Sequence, residues 1–432
     1  GSSNFRFISS FPATITWALE GRPHLSSSLS MANVSIGAVL LPLAGYMLLC
    51  RFLRNLRETV MYYQYPYKTR ESYAKMTSHD AWAIQRDVLT LEFPFIGGKG
   101  LQYALFKTYG ISTISELLIE TGQLSTPQKA AKRYADTGCI FTEWLDNAPE
   151  SERANAAYAR LNFLHSHYQK AGKISNDDML CTLAVLALEP KRWIEQYEWR
   201  NLNDMELCAF GTFWKSAGEA MDISYECLPS YKSGFTDGLQ WLDELAVWVE
   251  AYESQYMLPD TNCNLVANHT TDLLNYTLPK SFHDAGKKCI TVLSDERLRK
   301  AMMYPRAASY YKTISSIFTI RKNIVKYCMP PRPAFLRYTF KQTNSKTGRI
   351  NFTRFDAEPW YVEPTFLNCW GPAAWIRRLQ GLPLPGEGFQ PEGYVTRDVG
   401  PERWVSKGGV EFEASMARLM AEERGGCPFA RL

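Results

Sequence analysis

One stretch near the N-terminus constrains this chain more than any other. Residues Val34 to Cys50, VSIGAVLLPLAGYMLLC, carry no charge. That length sits at the short end of the roughly 17–25 residues that cross a bilayer as a helix. Leu53 extends it, because Arg51 can snorkel toward lipid headgroups. Pro42 and Gly45 are tolerable inside a spanning helix. A buried core helix or a signal peptide shows the same kind of run. A cleaved signal, however, carries its charges before the apolar stretch and a small-x-small site after it. Here Arg51, Arg54 and Arg57 come after it. The segment reads as a membrane anchor over 34–53, with the main domain on the cytosolic side. Residues 1–33 read as an extension, and Met31 offers a natural start.

The rest of the chain has the composition of a globular protein. Of its 432 residues 46% are hydrophobic and 21% charged, which excludes disorder. Net charge is +4 with no dense Lys/Arg run, which argues against nucleic acid as the main partner. Ten cysteines are scattered between Cys50 and Cys427, none at C-x-x-C spacing. They support neither a zinc site nor a disulfide framework and fit free thiols in a reducing compartment. Sequons at Asn33, Asn268, Asn275 and Asn351 are no more than chance supplies. The 12 Trp and 24 Tyr serve either as large core side chains or as walls for a flat, greasy ligand.

Residues 54–77 read as a polar, aromatic connector. From Ser78 to about 330, helix signals repeat. Thr126-Pro127 gives an N-cap with Pro in the first helical position, opening a helix to about Asn147. Glu150 to Lys170 has 3.6-residue periodicity. Ser175 with Asp178 makes a capping-box pattern, and that helix is expected to stop before Pro190. Asn203 with Glu206 opens another, to about Met221. Phe235 to Met257 is amphipathic, and 264–277 and 294–327 continue the pattern. From 331 to 432, Pro, Gly and aromatics dominate, and the expectation is an irregular segment packed on an all-α core.

Familiar catalytic motifs are absent. GGKG at 97–100 lacks the spacing and the ending of a phosphate loop. There is no G-x-S-x-G elbow, no H-E-x-x-H and no cysteine run of the cytochrome P450 kind. Of six histidines, only His165 and His167 are close. At i, i+2 on a helix they point about 200° apart and cannot share one ion. Helix phase puts His165 with Ala157, Leu161, Leu164 and Tyr168, facing the core. A lone core histidine is either a satisfied structural residue or a ligand, and pattern alone leaves both open. One helix earlier, Arg133 and Thr137 share a face with Ala130, Phe141 and Trp144. A cation there needs an anion. Either Asp136 pairs with Arg133 locally, or Arg133 meets an anion inside the fold.

These residues belong to a wider set: LEFPF at 91–95, ALFKTYGISTIS at 104–115, RYADT at 133–137, FLHS at 163–166, EWRNLNDMELCAFGTFWKS at 198–216, DERLRKAM at 295–302 and PTFLNCWGPAAW at 364–375. Together they resemble the fungal, endoplasmic-reticulum-bound oxygenases of the MpaB type, from the anchor almost to the C-terminus. A more distant similarity, to bacterial latex-clearing rubber oxygenases, rests on an Arg, three residues, Thr and a downstream His. The resemblance implies a globin-like helical core binding haem b, with His165 as the proximal iron ligand. It places Arg133 and Thr137 in or beside the haem pocket, where Arg133 pairs with a propionate or polarises dioxygen. Rubber oxygenases carry Lys where this chain has Asp136, so a Lys-capped iron is not expected. Asp136 would instead act as a general base or proton shuttle. Arg299 is a further candidate for a propionate.

The function this implies is a haem-dependent oxygenase using dioxygen on a lipophilic, prenylated or polyketide intermediate of fungal secondary metabolism. Oxidative cleavage of a carbon–carbon double bond is the expected reaction. The alternatives are a hydroxylase, cyclase or coupling oxidase, or a non-catalytic membrane-anchored protein binding haem or lipid. The expected location is the endoplasmic reticulum membrane. The ending Ala430-Arg431-Leu432 also resembles a peroxisomal address.

Overall fold

The computed structural model describes residues 36–122 and 127–430. His24, Met31, Asn33, the cap Thr126 and the final Arg431-Leu432 lie outside them. The protein is predominantly helical. Helix α1 runs Ile36–Gln64 and is the one helix among the described residues long and apolar enough to cross a membrane. The chain divides at Met47. Before it lie the first turns of α1, which expose Val39, Leu40, Leu41 and Leu43. Helix α1 continues well past the expected boundary at Leu53. Its C-terminal turns are bound through Arg54, whose Nε donates to the Met329 carbonyl at 2.9 Å.

The body then builds through α2 (Arg70–Tyr73), α3 (Ser78–Asp87), α4 (Pro94–Thr108), α5 (Ser112–Glu120), α6 (Pro127–Asp146) and α7 (Glu152–Lys170). It continues with α8 (Asn176–Tyr197), α9 (Asp204–Ala220), α10 (Gly238–Tyr256), α11 (Thr261–Leu274), α12 (His283–Leu293), α13 (Glu296–Ala301) and α14 (Ala308–Cys328). Helix α9 starts as its sequence dictates. Asn203 accepts from the Glu206 N–H at 3.0 Å, and Glu206 accepts from the Asn203 N–H at 2.9 Å, a complete capping box. The box at Ser175 is half made: its hydroxyl accepts from the Asp178 N–H but donates to the Asp178 carboxylate.

One expectation is corrected. Helix α8 does not stop at Pro190 but runs through it. Helix α4 presses on it there, and a Cβ on Gly100 would lie 2.8 Å from the Pro190 Cα. This close packing between helices offsets the backbone bond that proline cannot make. The stretch 294–327 is helical as expected, in two pieces, α13 and α14, separated around Pro305. Helices α9 and α10 also meet backbone to backbone. A Cβ on Gly211 would sit 2.0 Å from the Gly238 carbonyl oxygen, so only glycine allows the crossing. Trp214, Trp241, Tyr158, Phe93 and Phe210 fill the core.

The C-terminal segment carries more regular structure than its composition suggests. Strands β1 (Lys341–Thr343) and β2 (Ile350–Phe352) pair antiparallel, Lys341 opposite Phe352. Three helices follow: α15 (Phe366–Trp370), α16 (Pro372–Leu379) and α17 (Gly409–Ala421). The segment is attached to the core by buried charges. Arg160 of α7, fully buried, donates to the carbonyls of Val399, Trp404 and Lys407 at 2.8, 2.9 and 3.1 Å. All ten cysteines are free. Of the described sequons, Asn275 and Asn351 are buried, which closes them to a glycosyltransferase.

Candidate active site

Helices α6 and α7 are joined by five residues and run antiparallel. Near the turn, Arg153 of α7 grips the Glu143 carboxylate with two bonds of 2.9 Å, and Trp144 stacks on Tyr158 at 4.6 Å. Residue numbers that fall along α6 rise along α7, so the far end of the hairpin sets Arg133 against His165. The Arg133 charge is felt at that imidazole. The structure thus brings together the two residues that helix phase singled out.

His165 is a neutral ring. Its Nδ1 is shut off from solvent and has no hydrogen-bond partner. Burial first, and Arg133 second, push its pKa from 6.5 down to about 4. A buried ring nitrogen normally finds a donor or acceptor, and this one is free to accept a hydrogen bond or to ligate a group from outside the chain. Three of the other described histidines differ. His79 meets Glu150 at 2.6 Å, His283 meets the Leu278 carbonyl at 2.9 Å, and His167 is exposed beside Trp404.

Arg133 is half-buried. Its Nη1 donates to the Thr137 hydroxyl at 2.7 Å, and that hydroxyl donates to the Arg133 carbonyl at 2.8 Å. Thr137 therefore holds the guanidinium in place across one helical turn. Among the described residues no carboxylate lies within ion-pair distance of Arg133. The local pairing with Asp136 does not form. Asp136 is buried and turned to another set of partners. Lys132 Nζ contacts both its oxygens, at 3.2 and 2.9 Å, and the Tyr361 hydroxyl donates to Oδ1 at 2.7 Å. Burial raises the Asp136 pKa, while Lys132 and Tyr361 pull it back. Lys132 also donates to the Gly400 carbonyl at 3.0 Å.

Arg299 is not a free cation. Its Nε and Nη2 meet the two Glu296 oxygens at 2.9 Å each, and its Nη1 donates to the Tyr304 carbonyl. The bidentate pair occupies the planar fork that a propionate would need. Sequence reasoning missed Lys132 and Tyr361. Lys132 carried a signal, being four residues before Asp136 on the same helix. Tyr361 carried none, although its left-handed backbone, φ 62°, marks it as a side chain that packing holds in a strained place.

Fold and site together define a helical protein with a membrane-length helix and a half-buried basic corner built around a neutral histidine. No family model matches the chain. It is 46% identical to the ER-bound oxygenase mpaB' of Penicillium brevicompactum over 392 residues, 90% of this chain and 93% of that protein. It is 44% identical to the ER-bound oxygenase mpaB of the same organism over 81% of this chain and 84% of that one. A third relative, the ER-bound oxygenase mpaB of Penicillium roqueforti (strain FM164), is 48% identical over 61% of this chain and 88% of its own. The chain belongs to the MpaB family of ER-bound oxygenases.

Proposed function

We propose that this protein is a haem b-dependent oxygenase, anchored in the endoplasmic reticulum membrane by α1 with its main domain in the cytosol. Its substrate is a lipophilic prenylated or polyketide intermediate of fungal secondary metabolism, and the reaction is oxidative cleavage of a carbon–carbon double bond. The observation that carries this reading is the pairing of an orphaned, neutral His165 with an Arg133 that has no carboxylate partner among the described residues.

Haem needs two things from a protein that this corner offers: a neutral imidazole for the iron and a cation for a propionate. Among the described residues no three His, Cys, Asp or Glu side chains converge as they would on a bare metal ion. Haem makes no such demand, since the porphyrin supplies the remaining donors. In this reading the α6–α7 hairpin is the heart of a globin-like core, with His165 as the iron ligand. When bound, haem b supplies dioxygen and one-electron chemistry. The chain's residues do the rest. His165 stays unprotonated throughout the physiological range because its pKa is about 4. Arg133, held by Thr137, presents N–H donors to an anion or to an oxygen of the reacting molecule. Asp136 holds or releases a proton along its hydrogen bond to the Tyr361 hydroxyl.

The test is an absorption spectrum of the purified full-length protein supplied with haem, beside His165→Ala and Arg133→Met. The wild type should show a Soret band, His165→Ala should lose it, and Arg133→Met should retain haem more weakly. A wild type without a Soret band defeats the reading. With labelled dioxygen, two carbonyl fragments carrying the label support cleavage, whereas a single hydroxylated product replaces it with hydroxylation.

A further inference from the structure

Helix α14 and the loop after it expose an apolar surface that nothing in the body covers. Ile317, Ile320 and Ile324 form a stripe at helical spacing, 59%, 58% and 47% exposed. The other side of the helix is packed. Ile314 is buried, and Phe318 meets Tyr197 with ring centroids 4.4 Å apart. The stripe continues into a proline-rich loop, Pro330-Pro331-Arg332-Pro333, that ends in Phe335, 85% exposed, and Leu336, 54% exposed. An apolar stripe left exposed on a folded protein marks a place where something docks.

Two observations say what docks. The first is position. The loop is fastened to α1 immediately after its charge-free run. Arg54 donates to the Met329 carbonyl at 2.9 Å and the Pro330 carbonyl at 3.4 Å, and Arg57 donates to the Arg332 carbonyl. At the helical rise of 1.5 Å per residue, Arg54 and Arg57 stand roughly 6 and 10 Å beyond Cys50, which is headgroup depth for a helix whose apolar part ends there. The second is charge. Residues 297–355 contain fourteen Lys and Arg and no Asp or Glu. Some of these cations are used internally, as in Arg321 with Glu198 and Arg337 with Asp87. Lys312, Lys322, Lys326 and Arg332 have no ion-pair partner among the described residues. A second copy of this chain would bring the same positive segment against itself, which like-charge repulsion disfavours. A surface that is apolar, basic and set at headgroup depth suits an anionic lipid bilayer.

We propose that α14 and the 329–336 loop lie on the membrane surface as a second contact with anionic lipid beside the spanning helix. The inference rests on the reading of α1 as the anchor. Two contacts hold the body at a fixed tilt, where one helix alone would let it swing. A lipophilic substrate then always meets the same face of the protein.

The test reconstitutes the full chain in nanodiscs of phosphatidylcholine and phosphatidylserine with a diazirine-bearing phospholipid, followed by irradiation and peptide mapping. Lipid adducts are expected in α1 and also in 317–336. Adducts in α1 alone overturn the proposal and leave the anchor standing. No adduct in either defeats the anchor and the proposal with it. Ile324→Glu with Phe335→Glu, both at exposed positions, should lose the 317–336 adducts and keep those in α1. Discs of phosphatidylcholine alone should give weaker labelling at 317–336, and equal labelling overturns the anionic preference. Protein–protein cross-links between two 317–336 segments in discs holding two copies, in place of lipid adducts, assign the surface to a second chain and overturn the proposal.

Discussion

Two basic residues lie inside this fold in opposite circumstances. Lys107 of α4 is buried and meets Glu189 at 3.1 Å, Glu253 at 2.8 Å and Asp295 at 3.2 Å. Burial pushes its pKa down, but the three carboxylates outweigh burial and raise it. Arg192 and Arg297 pair with Glu189 and Glu253 in turn, so three cations answer three anions. The cluster joins α4, α8, α10 and the start of α13, and it is complete without any ligand. Arg133 stands beside a histidine, is held by a threonine and has no described carboxylate. One arrangement closes on itself and connects helices. The other leaves a positive charge and a ring nitrogen unanswered. The difference separates a structural knot from a site, although sequence alone shows only a basic residue in a helix at both places.

The sharpest way to break the comparison is to remove both cations. Lys107→Met leaves Asp295 without an ion pair and the buried Glu189 and Glu253 with one arginine each, which should cost about 3 kcal/mol of stability. Arg133→Met strands no described carboxylate and should cost less than about 1 kcal/mol while weakening haem retention. Denaturant unfolding followed by circular dichroism measures both. Equal losses would show that Arg133 is structural after all and remove the charge argument for the site.

A third cluster falls between these and tests how the C-terminal segment is held. Glu143 is fully buried, held by Arg153, by Lys341 at 2.8 Å and by the Tyr394 hydroxyl at 3.0 Å. Burial pushes its pKa up, but Arg153 and Lys341 bring it below the ordinary value. Glu143→Ala leaves Lys341 buried without its main partner, at a cost of about 3 kcal/mol. Limited proteolysis should then cut within the C-terminal segment sooner than in the wild type. Unchanged cutting means that the other attachments, Arg160 with its three carbonyls and Tyr361 with Asp136, suffice to hold the segment.

These clusters also show where reading the sequence succeeds and where it stops. Interactions within a few residues were legible. Asn203 and Glu206 announce α9, and the phases of α6 and α7 put Arg133 and His165 on inward faces. Pro190 misled, because local chemistry argues for a stop and the packing of Gly100 overrides it. The family resemblance pointed to Arg299, which its neighbour Glu296 occupies. Partners far apart in sequence left no trace. Tyr361 reaches Asp136 across 225 positions and Tyr394 reaches Glu143 across 251. A tyrosine in a proline-rich stretch has no periodicity to say which helix it meets.

Acid should distinguish the open corner from the closed knot. His165 has a folded pKa near 4 against 6.5 when exposed. Between those values the unfolded chain binds the proton and the folded one does not, so stability falls as pH drops through that window. With allowance for the partial exposure of the residue, the loss is of order 2 kcal/mol. His165→Phe should remove that component of the pH dependence. Arg133→Met should narrow the window from below, because Arg133 is one cause of the depression. A wild-type stability curve that stays flat across the window contradicts a neutral, enclosed His165.

The smallest effect concerns Asp136. Tyr361→Phe removes one 2.7 Å hydrogen bond and little volume, so the expected cost is about 1 kcal/mol. The sign of its pH dependence carries the information. The Tyr361 hydroxyl donates to the carboxylate, so it stabilises the ionised form and holds the Asp136 pKa down against burial. Without it that pKa rises further. A carboxyl whose folded pKa lies above its unfolded value stabilises the fold while protonated and loses that contribution as pH rises through the folded value. The variant should therefore come nearest the wild type at the acid end of the folded range and fall behind it toward the alkaline end. If the deficit is the same at both ends, Asp136 does not change protonation in that range. It then serves only as an anchor for Lys132 and Tyr361, and the corner relies on Arg133 and His165 alone.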